Sequence, residues 1–245
     1  MATLTIMMPV FNERRTVEQA IDDALTAELP VDRRELIVVD DGSTDGTREL
    51  LDRREWPGNV KLVHHDSNAG KGAAVRTALR HATGQYAAIL DADLEYKAAD
   101  LAPVLAPLLA GEARVVFGKR AWAAENFYSR WYAFGNKAVT LATNVLFGSR
   151  LSDVMTCHKA LRTDLFRSLP LREPGFAIEP EIAAWVLRAG EHIHEVPISY
   201  HARTREEGKK LTVLDGLRVL RTLVRCRLAE PSRSGAGCPG VTMEA

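Results

Sequence analysis

Apolar residues in this chain gather in short blocks that end abruptly on polar ones. Residues 4–10 stop at Phe11-Asn12-Glu13, 35–39 at Asp40-Asp41-Gly42-Ser43, and 86–90 at Asp91. A further block covers 60–64 and is followed by Asn68-Ala69-Gly70-Lys71-Gly72. Blocks this short, apolar at successive rather than alternate positions, predict strands buried on both faces. The stretches between them predict helices. One covers 16–26, with Thr16 as N-cap and Gln19 at the capping-box position. A second runs from a cap at Ser43 or Thr44 to about residue 54, and a third covers 73–82. This alternation predicts a parallel α/β sheet with right-handed crossovers, whose loops share the strands' C-terminal edge.

Past the fourth strand the pattern predicts a helix over 100–109, a strand over 114–118 and a mobile loop over 119–126. A long helix follows over 128–146, with aromatics at Trp131, Tyr132 and Phe134, then a strand over 156–162. Residues 179–188 read as a helix, and 195–200 as an edge strand, because Pro197 lacks a ladder donor. A basic segment with Arg203, Arg205, Lys209 and Lys210 leads into a last helix over 213–228. Residues 1–230 are expected to form a single domain, and the Gly-, Ser- and Pro-rich stretch 231–245 to be disordered. The last helix has two readings. Its stripe of Leu214, Leu217, Leu220, Val224 and Leu228 either docks on the protein's own core or lies on a membrane. In the second case Arg218, Arg221, Arg225 and Arg227 face anionic headgroups.

Length and charge narrow the classes. With 245 residues the chain can bury a full core, and 32 basic residues balance 32 acidic ones. No overall field therefore favours nucleic acid, and none is expected as a partner. Cys157, Cys226 and Cys238 lack metal-ligand spacing, which suits a reduced cytoplasmic setting. No signal peptide is expected at 1–10, and no run of 18 apolar residues occurs.

Candidate chemistry starts at Asp91, Asp93 and Glu95. On an extended chain these alternate positions would face one side. Carboxylates so close repel one another unless a cation joins them, and oxygen ligands suit Mg²⁺ or Mn²⁺. A solvated acidic turn is the plain alternative. The location of Glu13, Asp41 and Asp91 on three loops at one sheet edge favours a ligand site, because open α/β sheets bind ligands there. Gly70-Lys71-Gly72 is not a P-loop, which would need Gly at 65 and Ser or Thr at 72. Nor is it a dinucleotide fingerprint, which belongs to the first strand–helix turn. Lys71 either reaches a phosphate or sits in a plain turn.

Four motifs carry a resemblance. They are Pro9-Val10-Phe11-Asn12-Glu13, Val38-Val39-Asp40-Asp41-Gly42-Ser43-Thr44-Asp45, Asn68-Ala69-Gly70-Lys71-Gly72 and Asp91-Ala92-Asp93-Leu94-Glu95. From about residue 3 to 227 the chain resembles family 2 glycosyltransferases of the GT-A fold, with a mostly parallel, Rossmann-like sheet. Within them it is most similar to the polyprenyl- and dolichyl-phosphate sugar synthases. The resemblance implies that Pro9, Phe11, Glu13, Asp41, Lys71, Asp91 and Ala92 bind the donor nucleotide. It implies that Asp91, Asp93 and Glu95 hold the metal and diphosphate, and that Arg120, in Gly118-Lys119-Arg120, reaches a phosphate.

Phe11 stands where Tyr is common in that family, and Glu95 where Gln is frequent. The segment 153–159 resembles a D-x-x-T-C-Y-K motif, with His158 in place of the aromatic residue. Residues 175–181, with their Glu181, match the segment before the acceptor side. Residues 203–210 resemble a basic acceptor loop, longer here by one residue. The implied activity is inverting transfer of a hexose, of mannose or glucose type, from a GDP- or UDP-sugar to a polyprenyl phosphate. Asp91, Asp93 and Arg120 would be its catalytic residues. Alternatives are a hydroxyl acceptor, with Glu181 or Asp153 as base, and a nucleotide-sugar-binding protein without turnover. Peripheral contact with the inner face of a membrane is compatible with the lipid reading.

Overall fold

The computed structural model describes residues 1–120, 127–203 and 213–230. In chain order the elements are β1 (Thr3–Val10), α1 (Val17–Thr26), β2 (Arg33–Asp40), α2 (Thr47–Arg53), β3 (Val60–His64), α3 (Lys71–His81) and β4 (Tyr86–Ile89). Then follow α4 (Leu101–Leu109), β5 (Val115–Arg120), α5 (Phe127–Phe147), β6 (Lys159–Arg162), α6 (Thr163–Ser168), α7 (Ile178–Arg188), β7 (Ile193–Ile198) and α8 (Val213–Leu228). Of the loop expected over 119–126, Lys119 and Arg120 instead extend β5; its residues 121–126, together with Arg205, Lys209, Lys210, the side chains of Trp131, Tyr132, Phe134 and Leu214, and the 231–245 tail, lie outside the described residues.

The strands form one sheet in the order β3-β2-β1-β4-β6-β5-β7. β1, β2, β3 and β4 pair in parallel, as do β5 and β7, while β6 runs against both its neighbours. Successive residues of β1 feed opposite layers. Leu4, Ile6, Met8 and Val10 pack with α1 and α4, and Met7 packs with α3 and α7. Both sheet faces are therefore covered, which is why the strand blocks are apolar without alternation. A smaller cluster joins Ala184 of α7 to Val219, Leu223 and Cys226 of α8.

Several expectations shift. Thr16 precedes α1 but makes no cap to it; its hydroxyl donates to the carboxylate of Glu13 at 3.0 Å. α2 begins at Thr47, not at 43 or 44, because Ser43 Oγ accepts the Asn12 amide and Asn12 accepts the Thr44 amide. β6 starts three residues late, and the short helix α6 had no periodic signal. β7 is an edge strand, in line with Pro197. The stripe expected to anchor α8 points outward: Leu217 is 62% exposed and Leu228 77%, while Val219, Leu223 and Cys226 face the core.

Candidate active site

At the C-terminal edge of β1, β2 and β4 lies a cleft of about 320 Å³. Antiparallel β6 brings its own start to the same edge, so Met155 and Cys157 join the wall. Pro9, Phe11, Glu13, Asp41, Lys71, Asp91, Ala92, Asp93, Glu95, Arg120 and Arg203 all line it. Asp153 and Glu181 do not.

Asp41, almost fully buried, organises one wall. Its carboxylate accepts the amides of Ala69 (3.0 Å) and Gly70 (2.7 Å) and lies 2.6 Å from His65 Nδ1. It fastens the loop before α3 rather than capping a helix. Glu13 forms an ion pair with Arg203 at 2.8 Å, which draws the start of the 203–210 segment across the first loop.

The three acids of the 91–95 run do not share one side of a strand. β4 ends at Ile89, and the chain turns, with Leu94 at φ 60°. Each carboxylate consequently meets different partners. Asp91 Oδ2 accepts from Lys71 Nζ at 2.7 Å, Asp93 Oδ1 accepts the Glu95 amide, and Glu95 accepts from Tyr200 Oη and the Arg203 amide.

A chain of alternating buried charges runs behind this turn. Lys71 Nζ lies 2.7 Å from Asp91 and 2.8 Å from Glu179, and Glu179 also pairs with Lys159. Lys159 is fully buried above the Phe117 ring. Burial alone would lower the pKa of Lys71, yet Asp91, Cys157 and Glu179 outweigh it and hold Lys71 well above the usual range. Burial alone would raise Glu179, but Lys159 and Lys71 hold it below the carboxylate range, so it stays ionised.

Asp93 differs. Burial, then the charges of Asp91 and Glu95, push its carboxyl up to about 7 against the opposing Glu95 amide and Lys71. Asp91 Oδ1 is buried without a hydrogen-bond partner. Among the described residues no group of three or more His, Cys, Asp or Glu is arranged for a metal ion. The partnerless Oδ1 of Asp91 and the crowded carboxyl of Asp93 nevertheless offer oxygen ligands that suit a hard divalent cation.

Arg120 donates from Nε and Nη2 to both oxygens of Asp153 (2.6 and 2.7 Å) and lies 5.0 Å above the Tyr200 ring. Asp153 thus orients Arg120 rather than facing the cleft. Glu181 accepts the amides of Arg172 and Glu173 and pairs with Arg225 at 2.6 Å. Two residues along a helix lie about 200° apart, so Glu179 and Glu181 cannot both face the cleft. Glu179 is the one that does, and that spacing is the signal that could have found it. His158, buried and stacked on Tyr96, lies 3.2 Å from the Lys97 carbonyl. Burial lowers its pKa and keeps it neutral.

Comparison with known proteins agrees with this geometry. Residues 5–169 match Glycosyl transferase family 2. Glycosyltransferase AglJ of Haloferax volcanii is 32% identical over 199 residues, 81% of this chain and 63% of that protein. The chain thus spans under two thirds of that relative's length. Dolichyl-phosphate beta-glucosyltransferase of Saccharomyces cerevisiae is 26% identical, with 92% of this chain and 74% of that protein covered. Undecaprenyl-phosphate mannosyltransferase of Micrococcus luteus is 28% identical, with 85% and 87% covered. A crystal structure of glucosyl-3-phosphoglycerate synthase from Mycobacterium tuberculosis, in complex with Mn²⁺, UDP and glucosyl-3-phosphoglycerate, has a TM-score of 0.70. It covers 94% of this chain and 82% of its own, at 22% identity. A parallel β3-β2-β1-β4 core, an acid-tipped β4 and a family match over residues 5–169 converge on one assignment: this chain has the GT-A fold and belongs to glycosyl transferase family 2.

Proposed function

We propose that this chain transfers a hexose, with inversion, from a nucleotide diphosphate sugar to a polyprenyl phosphate. The observation that carries the reading is the partnerless buried oxygen of Asp91 beside the crowded carboxyl of Asp93, inside a cleft walled by Pro9, Phe11, Glu13 and Asp41. Relatives named for dolichyl and undecaprenyl phosphate support the acceptor class.

In this reading Pro9, Phe11, Glu13 and Asp41 surround base and ribose, with Asp41 accepting from a ring N–H. Asp91 and Asp93 would hold Mg²⁺ or Mn²⁺. When bound, that ion neutralises charge building on the departing diphosphate. Arg120, fixed by Asp153, offers a preorganised positive charge to the same group. Lys71 holds Asp91 in place through an ion pair and, with Lys159, keeps Glu179 ionised. A phosphate acceptor needs no general base, since its second pKa of about 6 leaves an anionic nucleophile near neutrality. The placement of the two bases considered for a hydroxyl acceptor fits that: Asp153 is tied to Arg120 and Glu181 to Arg225.

The test is an incubation with UDP- and GDP-hexoses and Mn²⁺ or Mg²⁺, with and without a polyprenyl phosphate, scored for nucleotide release and glycolipid. Glycolipid formation that EDTA abolishes is expected, and Glu181→Gln should retain it provided the variant folds. Sugar transfer to a hydroxyl compound but to no phosphate would overturn the reading.

A further inference from the structure

We propose that a second cleft, next to the donor cleft, binds the phosphate of the acceptor through the arginines of α8 and the 172–175 segment. This rests on the acceptor reading above and names the residues that would serve it. The second cleft has a volume of about 820 Å³ and contains Arg172, Arg218, Arg221 and Arg225 with Glu173 in its wall. Its rim is shared: Asn68, Gly70, Gly175 and Phe176 line both clefts. An anion held here lies one loop away from the donor sugar.

Charge bookkeeping within the cleft leaves a surplus. Arg225 is engaged by Glu173 at 2.8 Å and by Glu181 at 2.6 Å, which satisfies the carboxylate in the wall. Arg172 and Arg221 make no ion pair among the described residues, and both side chains are exposed to the cleft. Arg218, Arg221 and Arg225 follow the i, i+3, i+7 spacing of one helix face, which places Arg221 between two further guanidinium groups. An anion seated at Arg221 and Arg172 meets the charge those two carry. The planar guanidinium fork matches a phosphate in two parallel hydrogen bonds, which a lone lysine cannot do.

The basic segment after β7 does not meet the same need in its described part. Arg203 gives its Nη1 to Glu13 and its Nη2 to Thr16 Oγ1, and its amide to Glu95. It is thereby engaged in closing the donor cleft. The cations left for a second anion among the described residues are Arg221 and Arg172. The ligand chemistry is a phosphate monoester, carried either by a prenyl lipid or by a small phosphorylated acid.

The experiment uses the full chain and the double variant Arg172→Gln/Arg221→Gln. Calorimetry would measure inorganic phosphate, a water-soluble short-chain prenyl phosphate and 3-phosphoglycerate, with UDP or GDP plus Mn²⁺ as the donor-cleft control. We expect the wild type to bind prenyl phosphate and the variant to bind it about tenfold or more weakly, with nucleotide binding unchanged. The pair Arg172→Lys/Arg221→Lys should recover part of the loss, which a merely unfolded variant would not. Equal prenyl phosphate binding by wild type and Gln variant overturns the site and leaves the acceptor reading standing. Binding of 3-phosphoglycerate alone, lost in the variant, supports the site and overturns the lipid reading. A wild type that binds none of the three phosphates overturns the proposal.

Discussion

At Asp93 burial and the like charges of Asp91 and Glu95 act together against ionisation. Its carboxyl titrates at about 7 in the folded protein against an ordinary value of 3.8. Between those values the folded chain holds a proton that the unfolded chain has lost, so this group's contribution to stability falls as pH rises through that window. Above about pH 7 the penalty is complete. Asp93→Asn should therefore melt higher than wild type at pH 8, by on the order of a few kcal/mol in stability, and close to it at pH 4. Mn²⁺ should shrink the gap at pH 8 by stabilising the wild type alone. A melting difference that ignores pH between 4 and 8 would remove the burial argument. The acids themselves were legible in the sequence, since only they interrupt the β4 block. Their division of labour was not: it depends on Leu94 at φ 60° and on Tyr200, which lies more than a hundred residues away.

At the scale of elements, β1, β2 and β4 were readable because each is a short apolar block with both faces covered. Strand directions were not all readable. A four-residue block such as β6 carries no mark of whether it runs with or against its neighbours. Caps were misread because Thr16 turns back to Glu13 in its own loop and Ser43 accepts from Asn12 in the adjoining one. The start of α3 is the tightest junction. A Cβ added to Gly72 would sit 2.1 Å from the Glu173 carbonyl, and Gly70 holds φ 95°. Gly72→Ala should accordingly cost about 1–3 kcal/mol by displacing backbone. At about 2–4 °C per kcal/mol for a chain of this size, the shift is readable by thermal melting. An unchanged melting temperature would mean that the 173–175 segment yields freely.

At the scale of the molecule, apolar side chains emerge together on the two helices that pack on each other outside the sheet. Leu141 and Val145 of α5 and Leu217, Leu220, Val224 and Leu228 of α8 are all exposed. No helix among the described residues is long and apolar enough to cross a membrane, so any contact made through these residues is peripheral. Vesicle co-sedimentation should rise with anionic lipid and fall in Leu217→Gln/Leu228→Gln, whose exposed positions leave the core intact. Wild-type protein that stays in the supernatant at every lipid composition would return these residues to the ordinary apolar share of a surface. The buried chain Asp91–Lys71–Glu179–Lys159 has a separate consequence, for ionic strength. Mobile ions screen exposed charges over about 8 Å in physiological salt but scarcely reach pairs sealed from water. Salt should therefore leave the skeleton of the first cleft intact while it weakens the proposed hold of exposed arginines on an anion, so brine would disarm one half of the proposed site and spare the other.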